Sequence, residues 1–161
     1  MTDLIALLQE FYRDKLTQLL RHAAGARHVA QYDFNNTYQY VINREETELS
    51  WVGRSIQDFG GAIPEVGDPN RQVSGTGDAA ARSVFDEDAR EAQAFVDRWR
   101  PRVDTVTNAR HSKMLRLILG EVLEQKRFFE QALAGRTDLL GKRAEQLGPS
   151  HGDVLPTRWV E

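Results

Sequence analysis

Residues 43–61, NREETELSWVGRSIQDFGG, decide the fold of this chain, because they place acidic side chains on the apolar face of a helix that ends at two glycines. At about 100° per residue, Glu48 lies at the edge of a face that carries Val41, Glu45, Val52, Ile56 and Phe59. Acids that point inward are costly unless they are paired, protonated or bound to a metal. The stretch therefore predicts a long helix with a polar site on its buried side.

The composition indicates one soluble domain. The chain has 161 residues and 40% hydrophobic content, which suffices for one continuous core. Its 21 Lys and Arg against 24 Asp and Glu leave a net charge of -3, so no general affinity for nucleic acid or anionic membrane is expected. The absence of cysteine excludes disulfides, zinc-thiolate sites, iron-sulfur clusters and thiol nucleophiles. No apolar run approaches membrane-spanning length, and we expect a cytoplasmic protein without a membrane partner.

Two amphipathic helices are predicted in the first half of the chain. The first begins at Asp3 and ends near Gly25 or continues to Tyr32. The second is expected from Thr37 to Phe59, because Asn35 and Asn36 are good capping residues and Gly60-Gly61 would end it. The following residues, 62–80, are rich in Gly and Pro and predict a long connection.

The second half predicts two more helices and an extension. The third helix begins near Ala81 or Ser83 and is kinked or ended at Pro101, and the fourth runs from Asn108 to Ala134, where Gly135 stops it. Residues 138–147 have helical potential, and the end of the chain is expected to be an extended arm able to dock through Trp159 and Val160. The sequence therefore predicts an all-α four-helix bundle over residues 1–135 and a C-terminal extension over residues 136–161.

Two of these helices resemble ligand helices of a known superfamily. Glu45-x-x-Glu48-Leu49-x-x-Val52-x-x-x-Ile56-x-x-Phe59-Gly60-Gly61 is similar to the Glu-x-x-His-Ala-x-x-Leu-x-x-x-Ile-x-x-Leu-Gly-Gly helix of ferritin-like proteins of the rubrerythrin and bacterioferritin kind. Residues 121–130, EVLEQKRFFE, resemble the second Glu-x-x-His helix of those proteins. The resemblance implies a ferritin-like bundle with a long crossover between its second and third helices. It also implies a di-iron site in the bundle core.

The chain departs from that ligand pattern at several positions. Glu48 and Gln125 stand where the resemblance expects histidines, Val122 stands where it expects an acid, and Glu121 is displaced by one residue. Lys15 lies inside the apolar stripe of the first helix, where its charge would oppose a dication. The carboxylates that remain as candidate metal ligands are Glu45, Glu48, Glu91 and Glu121, with Asp88 also facing inward. Such an all-oxygen set suits a hard cation better than redox iron.

Three interpretations of the inward acids follow. In the first, Glu45 and Glu48 pair with Lys15, His22 or His111 in a polar core network. The protein is then a metal-degenerate bundle, expected to be a homodimer, that acts by binding or assembly. In the second, the reduced carboxylate site holds Fe or Mn in a metal-dependent oxidoreductase or an iron-handling protein. In the third, the acids form a catalytic carboxylate pair with raised pKa values.

A basic segment gives a further candidate site. Arg98, Arg100, Arg102, Arg110, Lys113 and Arg116 accompany a single acid, Asp104. If the third and fourth helices form a hairpin, these cations crowd one end of the bundle, where they would hold an acidic protein or nucleic-acid phosphates. The alternative is a solvated surface that keeps the protein soluble.

Overall fold

The computed structural model describes residues 2–139, and these residues form four helices with no strand among them. The helices are α1 (Thr2–Ala26), α2 (Tyr32–Asp58), α3 (Gly77–Val103) and α4 (Ala109–Leu133). The closest packing joins α1 to α2 and α3 to α4, and further contacts join α1 to α3 and α2 to α4. The predicted all-α bundle is therefore confirmed. The expectations for residues 140–161, and most of the helical segment predicted at 138–147, lie outside the described residues.

The turn between α1 and α2 differs from the prediction. Helix α1 ends at Ala26, as its first predicted end near Gly25 required, but α2 begins at Tyr32 rather than Thr37. Its N-cap is Gln31, whose side chain accepts a hydrogen bond from the Phe34 N–H at 2.8 Å. Asn35 instead uses its amide to donate to the carbonyls of Ala26 and Val29, at 3.1 Å each. The expected Asn caps were wrong because Asn35 holds the end of the preceding helix.

The boundaries of the second hairpin follow the sequence more closely. Helix α4 is capped by Asn108, whose side chain accepts from the His111 N–H at 3.1 Å, and Gly135 adopts a φ of 87° just beyond its end. Helix α3 begins at Gly77, earlier than predicted, and continues past Pro101 to Val103. Pro101 lies in the last turn, so the hydrogen bond that its missing N–H removes is at the end of the helix and only two helical residues follow it.

The connection between α2 and α3 packs along α1. Gln9 Nε2 donates to the Ala62 carbonyl at 2.9 Å, and Arg71 Nη1 donates to the Arg21 carbonyl at 2.8 Å. The connection therefore contacts α1 near both of its ends. It also brings the Arg71 side chain into the bundle, where only 1% of that side chain remains exposed.

The core consists of two apolar clusters with polar side chains between them. One cluster includes Phe11, Trp99 and Leu115, and the other includes Tyr38, Phe85 and Phe129. Buried polar side chains come from all four helices, and we call seven of them the polar layer: Lys15, Gln18, His22, Glu45, Glu48, Asp88 and Gln125. Such a layer is costly to bury, so its internal contacts decide what the bundle can do.

Candidate functional site

Glu45 is the centre of the polar layer. Lys15 Nζ donates to its Oε2 at 2.8 Å, and His22 Nδ1 lies 2.6 Å from its Oε1. Lys15 and His22 are seven residues apart on α1, with Gln18 between them, and this spacing places all three on one helix face. Lys15 also donates to Gln18 Oε1 at 2.9 Å. One carboxylate therefore receives two cationic or proton-bearing groups, and neither side chain of the Lys15–Glu45 pair is exposed.

The charge state of Glu45 follows from these neighbours. Burial alone would raise the pKa of Glu45, but the electrostatic influence of His22 and Lys15 and their hydrogen bonds outweigh it and hold that pKa below its ordinary value. Glu45 is therefore ionised at neutral pH and accepts both hydrogen bonds. An ionised carboxylate can only accept hydrogen bonds, so the Nδ1 atom of the His22 ring must carry a proton.

Glu48 is buried as deeply but is held in the opposite state. Its Oε1 lies 3.7 Å from Lys15 Nζ, and across residues 2–139 neither of its oxygens has a hydrogen-bond partner. Burial raises the pKa of Glu48 to about 8; Lys15 opposes that rise, while the carboxylates of Glu121 and Glu45 add to it. Glu48 is therefore mostly protonated at neutral pH. The layer thus contains one ionised and one neutral glutamate, one turn apart on α2.

Asp88 forms the second charged centre of the layer. Arg71 Nη1 lies 2.9 Å from Asp88 Oδ1, and Tyr38 Oη donates to Asp88 Oδ2 at 2.5 Å. His22 Nε2 lies 4.0 Å from Asp88 Oδ1. Burial, followed by the nearby charge of Asp88, raises the pKa of Tyr38 well above its ordinary value, so the phenol keeps its proton and donates it.

Glu121 lies at the edge of the layer and has its own partner. Arg44 of α2 donates to both oxygens of Glu121 of α4, at 2.9 Å each, in a bidentate pair that joins the two helices. Gln125, one turn further along α4, is buried in the layer. Helix α4 therefore contributes an amide where the resemblance expected an imidazole.

The four predicted carboxylates have separate environments. Glu45 and Glu48 lie inside the layer and Glu121 at its edge, whereas Glu91 is exposed on α3. Within the described range, no group of three or more His, Asp or Glu side chains is arranged to hold a metal ion. The four carboxylates are not arranged around one point, and a metal site formed by them stays a prediction.

The alternative prediction of a paired core network is confirmed for Lys15 and His22. His111, the third candidate partner, lies outside this network at the start of α4, with its ring centroid 5.1 Å from that of Phe59. Burial, followed by the charge of Arg110, lowers the pKa of His111. The sequence also missed Arg71, because a lone arginine in a Gly- and Pro-rich connection carries no helical periodicity that would place it inside.

The basic residues between positions 98 and 116 are partly neutralised by acids. Arg98 pairs with Asp14 at 2.9 Å, and Arg102 pairs with Glu10 at 2.8 Å. Arg116 pairs with Asp104 at 3.2 Å, while Arg100, Arg110 and Lys113 are exposed. The local sequence overstates the positive charge, because α1 supplies acids that are remote in sequence. An acidic protein or nucleic-acid partner for this end stays a prediction.

A narrow pocket leads from the surface between α1 and α3 to the polar layer. It has a volume of about 40 Å³, and its lining includes the partly exposed Asp14, Arg21 and Arg98 and the buried Gln18, His22 and Asp88. A wider surface groove of about 440 Å³ adjoins it and shares Asp14, Thr17 and Arg98 with it. The layer is therefore reachable by small molecules from one side of the bundle.

Comparison with known proteins adds no assignment. No family model, no curated protein and no solved structure matches this chain. Among residues 2–139, no helix is both long enough and apolar enough to cross a membrane.

Proposed function

We propose that this protein is a ferritin-like four-helix bundle in which a lysine supplies the positive charge that metal ions supply in related bundles, and that it acts by binding or assembly. The observation that carries the proposal is the position of Lys15. Its Nζ lies 2.8 Å from Glu45 Oε2 and 3.7 Å from Glu48 Oε1, between the two carboxylates of the ferritin-like motif. A dication bound by both acids would have to occupy the same space.

Two further features support a metal-independent layer. Gln125 replaces a metal-binding imidazole by an amide, and Glu121 is engaged by Arg44. The connection along α1 is consistent with a ferritin-like crossover, because it contacts α1 near both ends. These features favour binding or assembly over the alternative, a metal-dependent Fe or Mn oxidoreductase or iron-handling protein.

Metal analysis tests the proposal against that alternative. The unmodified protein, Glu45→Gln and Glu46→Gln are purified without chelator, and Fe and Mn are measured by mass spectrometry. Glu46 is exposed on the same helix and is the matched control. We expect substoichiometric Fe and Mn in all three proteins. Stoichiometric metal in the unmodified protein and in Glu46→Gln that is lost in Glu45→Gln would establish the oxidoreductase or iron-handling reading instead.

Assembly is proposed to use the outer face of α2 and α4. Tyr40 and Leu117 are large apolar side chains with exposed fractions of 40% and 54%. Each is one turn before a member of the Arg44–Glu121 pair, so the two side chains lie on the same side of the bundle. A homodimer formed about a two-fold axis would bury this face against itself.

Sedimentation velocity tests the homodimer. Leu117→Glu puts a charge within the proposed contact and should convert dimer into monomer. Thr107→Glu adds the same charge in the exposed α3–α4 connection and should leave the dimer intact. A monomeric unmodified protein at about 100 μM, or a dimer insensitive to Leu117→Glu, would refute this surface.

A further inference from the structure

The pocket between α1 and α3 ends at two buried polar atoms that lack partners. In the part of the chain that the structure describes, neither His22 Nε2 nor Gln18 Nε2 has a hydrogen-bond partner. Both residues line the pocket, and their exposed fractions are only 1% and 7%. Buried polar atoms are almost always satisfied by protein, water or ligand, so these two indicate that the pocket has an occupant.

The polar layer fixes the orientation of both side chains. Glu45 takes the Nδ1 side of the His22 ring at 2.6 Å, and Lys15 takes Oε1 of Gln18 at 2.9 Å. In the tautomer whose single ring proton is at Nδ1, His22 presents Nε2 as an acceptor, and Gln18 presents its NH₂ group as a donor. Asp88 Oδ1 supplies a second acceptor 4.0 Å from His22 Nε2. The bottom of the pocket thus offers two acceptors and one donor.

We propose that this pocket binds a small uncharged molecule with an NH₂ group next to a carbonyl, that is, a primary carboxamide or a urea. Its NH₂ group bridges His22 Nε2 and Asp88 Oδ1, because two acceptors 4.0 Å apart are both reachable from one nitrogen at about 2.9 Å. Its carbonyl accepts from Gln18 Nε2. This ligand class specifies what the binding role proposed above would bind. The inference rests on the proposed function in one respect, since Lys15 and His22 must keep their contacts with Glu45.

Size and charge both favour this class. The volume of about 40 Å³ holds the centres of about three to four water-sized groups, at 10–15 Å³ each, which matches formamide or acetamide. Most charged side chains around the pocket already have partners of opposite sign: Arg98 has Asp14, Arg21 has Glu87, and Asp88 has Arg71, whereas Glu91 is exposed at its edge. An uncharged ligand leaves these pairs undisturbed, whereas a charged one would compete with them.

The test follows the His22 ring nitrogens by NMR in protein labelled with ¹⁵N-histidine at pH 7.5. Formamide and acetamide are titrated at concentrations that leave the far-UV circular dichroism unchanged. N,N-dimethylformamide is the chemical control, because it keeps the carbonyl and lacks N–H donors. We expect formamide and acetamide to shift the Nε2 resonance saturably. Their dissociation constants should be at least about tenfold lower than that of N,N-dimethylformamide, because the control leaves both buried acceptors unpaired. His111, remote from the pocket, should not respond.

Two variants locate the site. Thr17 lies where the pocket meets the surface groove, on a partly buried position of α1. Thr17→Leu adds bulk there and should weaken formamide binding at least about tenfold, whereas Thr17→Val keeps the size and should leave it within about twofold. The comparison of ligands in the unmodified protein carries the test by itself if a variant fails to fold.

Three results would overturn the proposal. An unresponsive His22 means that the pocket holds water only. Equal shifts with N,N-dimethylformamide mean that the response is a solvent effect. Protons on both ring nitrogens in the ligand-free protein at pH 7.5 remove the acceptor on which the site depends. Each result leaves the metal content and the oligomeric state unchanged, so failure here is distinguishable from failure of the proposed function.

Discussion

Replacing Lys15 by Met removes the charge at the centre of the polar layer while keeping the length of the side chain. In the unmodified protein Lys15 Nζ lies 2.8 Å from Glu45 Oε2, and neither side chain is exposed. Removing one partner of a buried ion pair costs about 3–5 kcal/mol, because the other charge is left buried and unpaired. Glu45 keeps His22 Nδ1 at 2.6 Å, so we expect the low end, about 3 kcal/mol. In a domain of this size that corresponds to a fall in Tm of about 6–12 °C.

The double-mutant cycle with Glu45→Gln separates the pair from the rest of the layer. Urea unfolding at pH 7 is measured for the unmodified protein, Lys15→Met, Glu45→Gln and the double variant. The double variant should be more stable than the sum of the single losses implies, by at least about 1 kcal/mol, because it contains no unpaired charge. Lys126→Met is the surface control. Lys126 forms a partly exposed pair with Glu130, so its loss should cost no more than about 0.5 kcal/mol.

The cycle can refute the reasoning in two ways. A loss below about 1 kcal/mol for Lys15→Met would mean that Glu45 does not need the ammonium group. Additivity of the two single losses within about 0.5 kcal/mol would mean that the two side chains do not interact. Either result would remove the basis for treating Lys15 as the substitute for a metal ion.

Two further predictions concern pH and packing. Glu48 has a pKa of about 8 in the folded protein against an ordinary 4.5, so between these pH values the folded state binds more protons than the unfolded state. The free energy of unfolding should therefore fall as pH rises, by up to about 1.4 kcal/mol per pH unit. In urea unfolding from pH 5 to 8, Glu48→Gln should reduce this slope and the exposed control Glu46→Gln should keep it, and equal slopes for the two variants would contradict the burial argument. A Cβ on Gly25 would lie 2.6 Å from Arg71 Nη1, whereas one on Gly120 of α4 meets nothing within 4 Å. Gly25→Ala should therefore lower Tm through overpacking and Gly120→Ala should raise it by reducing chain entropy, and a rise in both would show that the Arg71 contact yields freely.

The sequence predicted the helices best where local chemistry decides them. Asn108 and Gly135 bound α4 as expected, because a cap and a left-handed glycine act on the residues beside them. The start of α2 was wrong because Asn35 serves carbonyls at the end of α1, and such a partner is not encoded in the surrounding sequence. Pro101 was expected to interrupt α3, but in the last turn there is little helix left to interrupt.

The candidate site was predictable to the extent that it lies on periodic helices. The inward positions of Glu45, Glu48 and Lys15 follow from a 3.6-residue repeat, and all three are fully buried. Arg71 was not predictable in this way, since its role depends on how a connection without periodicity packs against α1 and α3. Glu91 shows that helical periodicity is a weak guide at the edge of a helix face. A position at the boundary of a helix face can be turned outward, and Glu91 is exposed.

The charges of the polar layer explain why the lysine and the neutral glutamate belong together. Apart from His22, the ionised groups balance, with Lys15 against Glu45 and Arg71 against Asp88, while Glu48 keeps its proton. A divalent cation entering between Glu45 and Glu48 would have to displace the ammonium group and release the proton of Glu48, because both changes are needed to restore balance around it. The ammonium group of Lys15 and the proton on Glu48 therefore each raise the free-energy cost of binding a metal ion at this position. The pH at which Glu48 titrates therefore reports directly on whether Lys15 is in place, and Lys15→Met should shift that pH upward because it removes the cation that opposes the rise.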